Sequence, residues 1–472
     1  MNGVAERVSA AVLLLVAAGS LWWAGRQHEP LLRMRREYRL NWAEPLENAP
    51  PLVAFTSVAL GGFRGILADL LWLRASQLQQ EKKYFELVQL ADWITKLEPR
   101  FALVWAFHGW NMAYNISVLF DSPVDRWRWV KHGIELMRDQ GLFYNPGDAQ
   151  LHRELGWIFQ HKLGNILDQA HPYYKRQWAQ EMEALFDGPR PDYAFCRAHP
   201  EDVRVRRMRE QYRLEPELME EIEREYGPLD WRLPPAHAIY WAYRGARYAR
   251  GFEQVQVERM IFQAMQDNFW WGRLVWEKEE DLFVAAPNPE AFEWVNRAYE
   301  RAVAAHPDEE SFRAAHRNFL KDAVLVLALH HHTERAREAF EYLRKNYPEA
   351  TAARRYETFV REMFRERVRD MGQREALAYV EGLLTQAVFW VVAGEEDRWR
   401  GALEAARYCW EEYMRSRKDD PKQVERVGLP PLRQMWQQAK TRAAQQVQGA
   451  AARARLEAAE WGGQGSLRQA EE

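Results

Sequence analysis

From Leu67 to about Met414, apolar residues return every third or fourth position almost without interruption, and Pro or Gly clusters fall between the periodic segments. That spacing matches the turn of an α-helix and not the two-residue alternation of a strand, so the chain reads as helix after helix. Strand-like alternation is nearly absent. A chain of 472 residues with this pattern is either several helical domains or one long array, and 47% apolar residues suffice for a sizeable core.

Internal recurrence separates these two readings. Leu320, Val324 and Leu327 mark one helix; after a short polar turn, Ala336, Phe340 and Leu343 mark a second, which Pro348 ends. The same offsets return at Leu71, Ala75, Leu78, Leu87, Ala91, Ile94 and Pro99. They recur at Trp105, Gly109 and Met112, and at His152, Gly156 and Phe159. In "WAYRGARY", Trp241 to Tyr248, the Trp, Gly245 and Tyr248 lie along one helical stripe, and Val257, Ile261 and Ala264 follow where a partner helix needs its inward face. A small residue in the first helix lets the second approach closely, large neighbours fill the remaining gap, and a proline ends the pair. The stripe therefore reads as a helix-packing signature and not a ligand clamp.

These features resemble the tetratricopeptide repeat, a helix–turn–helix unit of about 34 residues. The resemblance covers roughly Leu67 to Met414 and is specific in the units containing Tyr84, Trp241 and Phe340. It implies an all-α fold, a solenoid of helix–turn–helix pairs. Three stretches depart from it. "NISVLFDSPVD" lengthens the second unit between Tyr114 and Trp127, residues 187–235 fit no repeat, and "FWWGRLVWEKEEDLF" is an atypical partner for the helix expected at Ala291 to Pro307.

The N-terminal residues are read separately. Val8 to Ala24 is uncharged and ends near the pair Trp22–Trp23, which suits a membrane interface. Because apolar residues continue past the poor cleavage site at Ala17 to Gly19, the run is expected to be an uncleaved single transmembrane helix; a cleaved signal peptide is the rival. Arg26, Arg33, Arg35, Arg36 and Arg39 follow the run and only Arg7 precedes it, which puts the bulk of the chain in the cytoplasm by the positive-inside rule. Single anchors with short tails also adopt the opposite, periplasmic orientation. A second apolar run, Pro51 to Phe63, is too short to span, and "GGFRG" after it reads as a helix junction or membrane-surface turn in place of a dinucleotide-binding turn.

The expected organisation is a tail and anchor at 1–25, a basic juxtamembrane linker with an apolar segment at 26–66, repeats at 67–186, a charged insert at 187–235, repeats at 236–416, a capping helix at 417–461 and a disordered tail at 462–472. In the insert, basic Val203 to Arg213 adjoins acidic Glu215 to Gly227, as two solvated helices that neutralise each other. The capping helix carries a narrow stripe through Met435, Trp436, Ala439, Ala443 and Val447.

Catalytic chemistry finds no motif. Cys196 and Cys409 make neither a disulfide framework nor a zinc site, and His330 to His332 stand on adjacent positions that seldom converge on one ion. There is no phosphate loop and no nucleophile elbow. A net charge of −3 argues against nucleic acid as partner. The expectation is a membrane-anchored scaffold for a protein partner, with no cofactor, metal, catalytic residue or small-molecule substrate; the alternatives are an obligate subunit of an envelope complex, or an enzyme with its site near the insert. The repeat resemblance implies that Trp72, Trp110, Tyr114 and Trp157 line the concave partner-binding face.

Overall fold

The computed structural model describes residues 63–277, 282–329, 332–352, 354–417 and 428–460, together with Val16, Gly19, Ser20, Trp22, Trp23, Arg26, Pro30, Arg33 and Met34. Most of the Val8 to Ala24 run, the Pro51 to Gly62 stretch and the 462–472 tail therefore lie outside the described residues. Of the first run, Val16, Gly19, Ser20, Trp22 and Trp23 are helical and exposed.

Two units divide the chain, Met1–Leu73 with Lys96–Glu98, and Arg74–Thr95 with Pro99–Glu472. In the first, the N-terminal half of α1 (Phe63–Gln80) buries Ala68 and leaves Phe63, Ile66, Leu67, Leu70 and Leu73 exposed.

The second unit continues through α2 (Tyr84–Leu97), α3 (Ala102–Trp110), α4 (Pro123–Glu135), α5 (Ala149–Trp157) and α6 (His171–Phe186). Then come α7 (Tyr193–Ala198), α8 (Val203–Glu210), α9 (Pro216–Tyr226), α10 (Pro234–Ala246) and α11 (Phe252–Trp271). A β-hairpin, β1 (Arg273–Glu277) and β2 (Leu282–Ala286), precedes α12 (Phe292–Ala305), α13 (Glu310–Leu329), α14 (Thr333–Asn346) and α15 (Tyr356–Asp370). The last helices are α16 (Gln373–Ala393), α17 (Glu396–Arg415), α18 (Leu432–Gln446) and α19 (Ala450–Ala458). The fold is all-α apart from that hairpin. Local chemistry sets many boundaries: Ser122, Asp148, Asp192 and Asp202 cap helices through side-chain oxygens, and prolines occupy the first turns of α4, α6, α9 and α10.

Helix pairs recur as the spacing predicts. Ala75, Leu78, Leu87, Ala91 and Ile94 are buried, and so are Leu320, Val324, Leu327, Ala336, Phe340 and Leu343. Trp241 and Gly245 are buried in a packing seam, whereas Tyr248, expected on the same stripe, lies past the end of α10 and is exposed. A Cβ on Gly245 would stand 2.9 Å from the Cβ of His152 and 3.2 Å from the Ala149 carbonyl. At the other end of the same seam, a Cβ on Gly156 would stand 3.1 Å from the Ala238 carbonyl. Each helix thus supplies one glycine to an antiparallel contact between α5 and α10. Gly109 and Gly133 do the same for α3 and α4, where a Cβ on Gly133 would meet the Gly109 carbonyl at 2.6 Å.

Four features differ from the sequence reading. The stretch expected to hold an atypical helix ends α11 at Gly272 and turns into the hairpin. A Cβ on Gly272 would fall 1.9 Å from the Asn268 carbonyl, so glycine is required there, and Leu274 then packs with Ala179 and Leu233. The charged 187–235 segment is not a solvated appendage. Val205, Met208, Leu218, Met219, Ile222 and Trp231 belong to the main core, while Arg209–Glu217 (2.6 Å) does pair the basic stretch with the acidic one and Arg197 of α7 adds a contact to Glu220 (2.5 Å). The C-terminal helix is two, α18 and α19, with Met435, Trp436, Ala439, Ala443 and Val447 buried as its stripe requires. Finally, α3, α4 and α5 each run on into a π-helical turn, at Asn111–Ile116, Leu136–Gly141 and Ile158–Leu163.

A second apolar core gathers α16 to α19. Among the described residues, α16 is long and apolar enough to cross a membrane by length and composition. Its Leu384, Ala387, Val391 and Val392 are buried in this core.

Two predictions follow from the packing. Gly245→Leu overfills the α5–α10 seam and should cost about 1–3 kcal/mol, read as a lowered melting temperature by circular dichroism. Burial also pushes six histidines down, among them His108, His152 and His316 to about 4 and His171 and His237 to about 3. A histidine with a depressed folded pKa stabilises fully above its unfolded value near 6.5, and that contribution is lost as pH falls toward the folded value. Each of the five named is worth on the order of 3 kcal/mol. Urea midpoints should accordingly fall steeply between pH 6.5 and 4, and His237→Gln should flatten that slope.

Candidate partner-binding surface

One carboxylate organises the most individual part of the second unit. Asp168, in the loop between the Ile158–Leu163 turn and α6, receives Lys162 Nζ at 2.5 Å, Arg126 Nη1 at 3.2 Å, the Tyr174 hydroxyl at 3.2 Å and the Ala170 amide at 2.9 Å. The Lys162 and Asp168 side chains are only 4% and 6% exposed. Arg126 Nε also donates to the Phe120 carbonyl at 2.5 Å. Residues 117–122 and 164–170, two loops distant in sequence, are thereby tied to one node. Burial by itself would raise the Asp168 carboxyl; the Lys162 ammonium, the Ala170 amide and the Tyr174 hydroxyl outweigh it and hold the group below its ordinary value.

Above this node stands a column of rings. Trp110 and Tyr114 stack at 4.2 Å, Tyr114 meets His161 at 5.7 Å, and His161 stacks on Trp157 at 4.8 Å. Lys162 Nζ lies 5.3 Å from the Tyr114 ring centre, so the ionic node and the column share a residue. Burial raises the Glu154 carboxyl against the opposing effects of Arg153 and of a hydrogen bond with the Trp110 side chain. Burial likewise lowers the His161 imidazole and raises the Tyr114 phenol. The Tyr114 hydroxyl and His161 Nδ1 are buried without a hydrogen-bond partner among the described residues.

Three of the four residues singled out from the sequence are thus gathered. Trp110, Tyr114 and Trp157 share one column, joined by His161. Trp110 remains 38% exposed, while Tyr114 and Trp157 are half-buried and pack against the main core. Trp72 lies in the first unit, half-buried on α1. Because the rings cover one another's faces, the surface they leave open is the end of the column at Trp110 and the ring edges.

The open apolar surface nearest the node was not singled out from the sequence. Val118 and Leu119 on the first tethered loop, Val124 in the first turn of α4, and Ile166 and Leu167 on the second loop are exposed, Leu167 by 71%. Phe85 joins them at the first loop through Phe120 and Trp129, with ring centres 6.0 to 6.5 Å apart. The signal was present: "ISVLF" and "NIL" place large apolar residues in loops, where helical packing gives them no partner. Such a surface can dock an apolar ligand face; it offers no redox or metal-binding chemistry. Among the described residues no group of three or more His, Cys, Asp or Glu is placed to hold a metal ion. His330 and His331 lie outside the described residues, and His332 immediately precedes α14.

A comparison with protein-family models, curated proteins and solved structures finds no match for this chain.

The node carries its own prediction. Asp168→Asn leaves two buried or half-buried cations without their shared counter-charge, and should cost about 3–5 kcal/mol of stability. Thermal melts of the wild type and Asp168→Asn, compared with the exposed control Asp125→Asn, read this directly.

Proposed function

We propose that this protein is a membrane-anchored, non-catalytic scaffold, a tetratricopeptide-like α-solenoid that holds a protein partner. The anchor is the uncharged Val8 to Ala24 run, and the positive charges after it place the repeats in the cytoplasm. The observation that carries the reading is an exposed apolar surface held on a rigid base. Val118, Leu119, Ile166 and Leu167 are solvent-exposed, yet their loops are tied by a buried ionic node. Loops that carry large apolar tips and are pre-organised beneath them lose little freedom on binding, which favours recognition. Trp110 with its stacked neighbour Tyr114, and Trp157 joined through His161, form the aromatic flank of this docking surface; Trp72, expected beside them from the repeat pattern, belongs to the first unit and is not part of it. Aromatic anchors of this kind dominate the energetics of protein interfaces.

The test is extraction of the full chain from its native membranes in a mild detergent. The wild type should emerge with a stoichiometric protein partner. The double variant Leu119→Ser/Leu167→Ser should recover at least ten times less of that partner at an unchanged melting temperature, because both positions are exposed. A wild-type chain that emerges alone, or equal recovery by the variant, would overturn the reading.

A further inference from the structure

The N-terminal half of α1 carries an apolar stripe that no described residue covers. Phe63, Ile66, Leu67, Leu70 and Leu73 are exposed by 74%, 58%, 38%, 58% and 67%. At about 100° per residue, they share one face roughly 120° wide, and at about 1.5 Å per residue the stripe is some 15 Å long. Its end is abrupt. The next residues on that face are Arg74 and Gln77, both exposed. Soluble proteins seldom leave a contiguous apolar stripe of this size in water, so its presence calls for an occupant.

Three observations select the occupant. The segment is amphipathic: the positions of Arg64 and of the exposed Asp69 lie off the stripe, beside the half-buried Leu71 and Trp72, so the apolar face has a polar side as an interfacial helix needs. Second, the stripe is bordered by Trp72 and closed by Arg74, side chains that settle at the headgroup level beside an apolar face lying in the interface. Third, the stripe continues the apolar run Pro51 to Phe63, downstream of the uncharged Val8 to Ala24 run with its Trp22–Trp23 pair. A second copy of the chain is the poorer fit. A coiled-coil seam would extend the apolar spacing along the whole helix with flanking charges, whereas this one stops after three turns.

We propose that the first three turns of α1, through Leu73, lie in the headgroup–acyl boundary of a lipid bilayer, as a second membrane contact beyond the anchor. This rests on the membrane-anchored reading above. The helix does not span. It lies along the interface with Phe63, Ile66, Leu67, Leu70 and Leu73 toward the acyl chains, and Arg74 marks the return to water.

Cysteine labelling of the full chain tests it. Cys196 and Cys409 are both buried, so Leu70→Cys or Gln77→Cys provides the reactive thiol for a fluorescent maleimide. The labelled proteins are reconstituted into vesicles of phosphatidylcholine with a quarter phosphatidylglycerol. Quenching is then measured with a doxyl group on the lipid acyl chain and with aqueous iodide. The label at position 70 should be quenched at least threefold more by the doxyl lipid than the label at 77, with iodide giving the reverse order. If the chain floats with vesicles but the label at 70 is open to iodide, the interfacial helix is overturned while the anchor stands. Shielding of position 70 from both quenchers would mean that protein covers the stripe, from residues 35–62 or a second copy, and would equally overturn it. If the full chain fails to float with vesicles at all, both the anchor and this proposal fall.

Discussion

The second unit depends on how closely helix backbones can approach one another. At the α5–α10 seam, Gly156 faces the Ala238 carbonyl and Gly245 faces Ala149, one glycine at each end of an antiparallel contact. A side chain at either end would hold the helices apart. The close contact lets Trp241 fill the space beside it, stacked 6.0 Å from His152, whose other face meets Tyr248 at 5.9 Å. The His152 ring in turn binds the Pro146 carbonyl through Nε2 at 3.0 Å, fixing the loop that leads into α5. Backbone proximity, aromatic filling and loop position are therefore one arrangement.

The same logic explains why so much aromatic surface is tolerated. The chain has 22 tryptophans, and those deepest in the first core, Trp105, Trp178, Trp231 and Trp241, lie where helices would otherwise leave gaps. Several find polar partners for the indole nitrogen. Trp105 donates to the Pro99 carbonyl at 2.7 Å and Trp231 to Glu223 at 3.0 Å. A buried indole without such a partner costs free energy, so these bonds are part of what makes a tryptophan-rich core possible.

Periodicity was enough to read the helix pairs, the role of Gly245 and the buried stripe of the C-terminal helix, because each is written in the spacing of single residues. Other features are not local in that sense. The hairpin after Gly272 exists because Asp230 and the α6 surface accept β1: the Leu274 amide donates to Asp230 at 3.1 Å, and Arg232 donates to the Leu274 carbonyl at 3.3 Å. The 187–235 segment looked like an insert because its charges dominate its composition, yet the few apolar residues between them carry its attachment to the core. The column of Trp110, Tyr114, His161 and Trp157 was half legible. The repeat pattern pointed to three of its rings, but His161 joins them from the π-helical Ile158–Leu163 turn, and nothing in the apolar spacing announces that turn.

That wide turn has a consequence for register. A π-helical turn holds one more residue than the α-helical turn it replaces, and one residue in an α-helix corresponds to a rotation of about 100°. Here the wide turn is the last of its helix, which ends at Leu163, so the residues it displaces are its own. From within that turn Lys162 reaches Asp168, and His161 stands between Tyr114 and Trp157. The extra residue acts as a geometric offset: deleting Gln160 alone would bring the imidazole and the lysine one position nearer Trp157 and turn both by about 100° about the axis, parting them from Tyr114 and Asp168 together while leaving the composition of the segment almost unaltered.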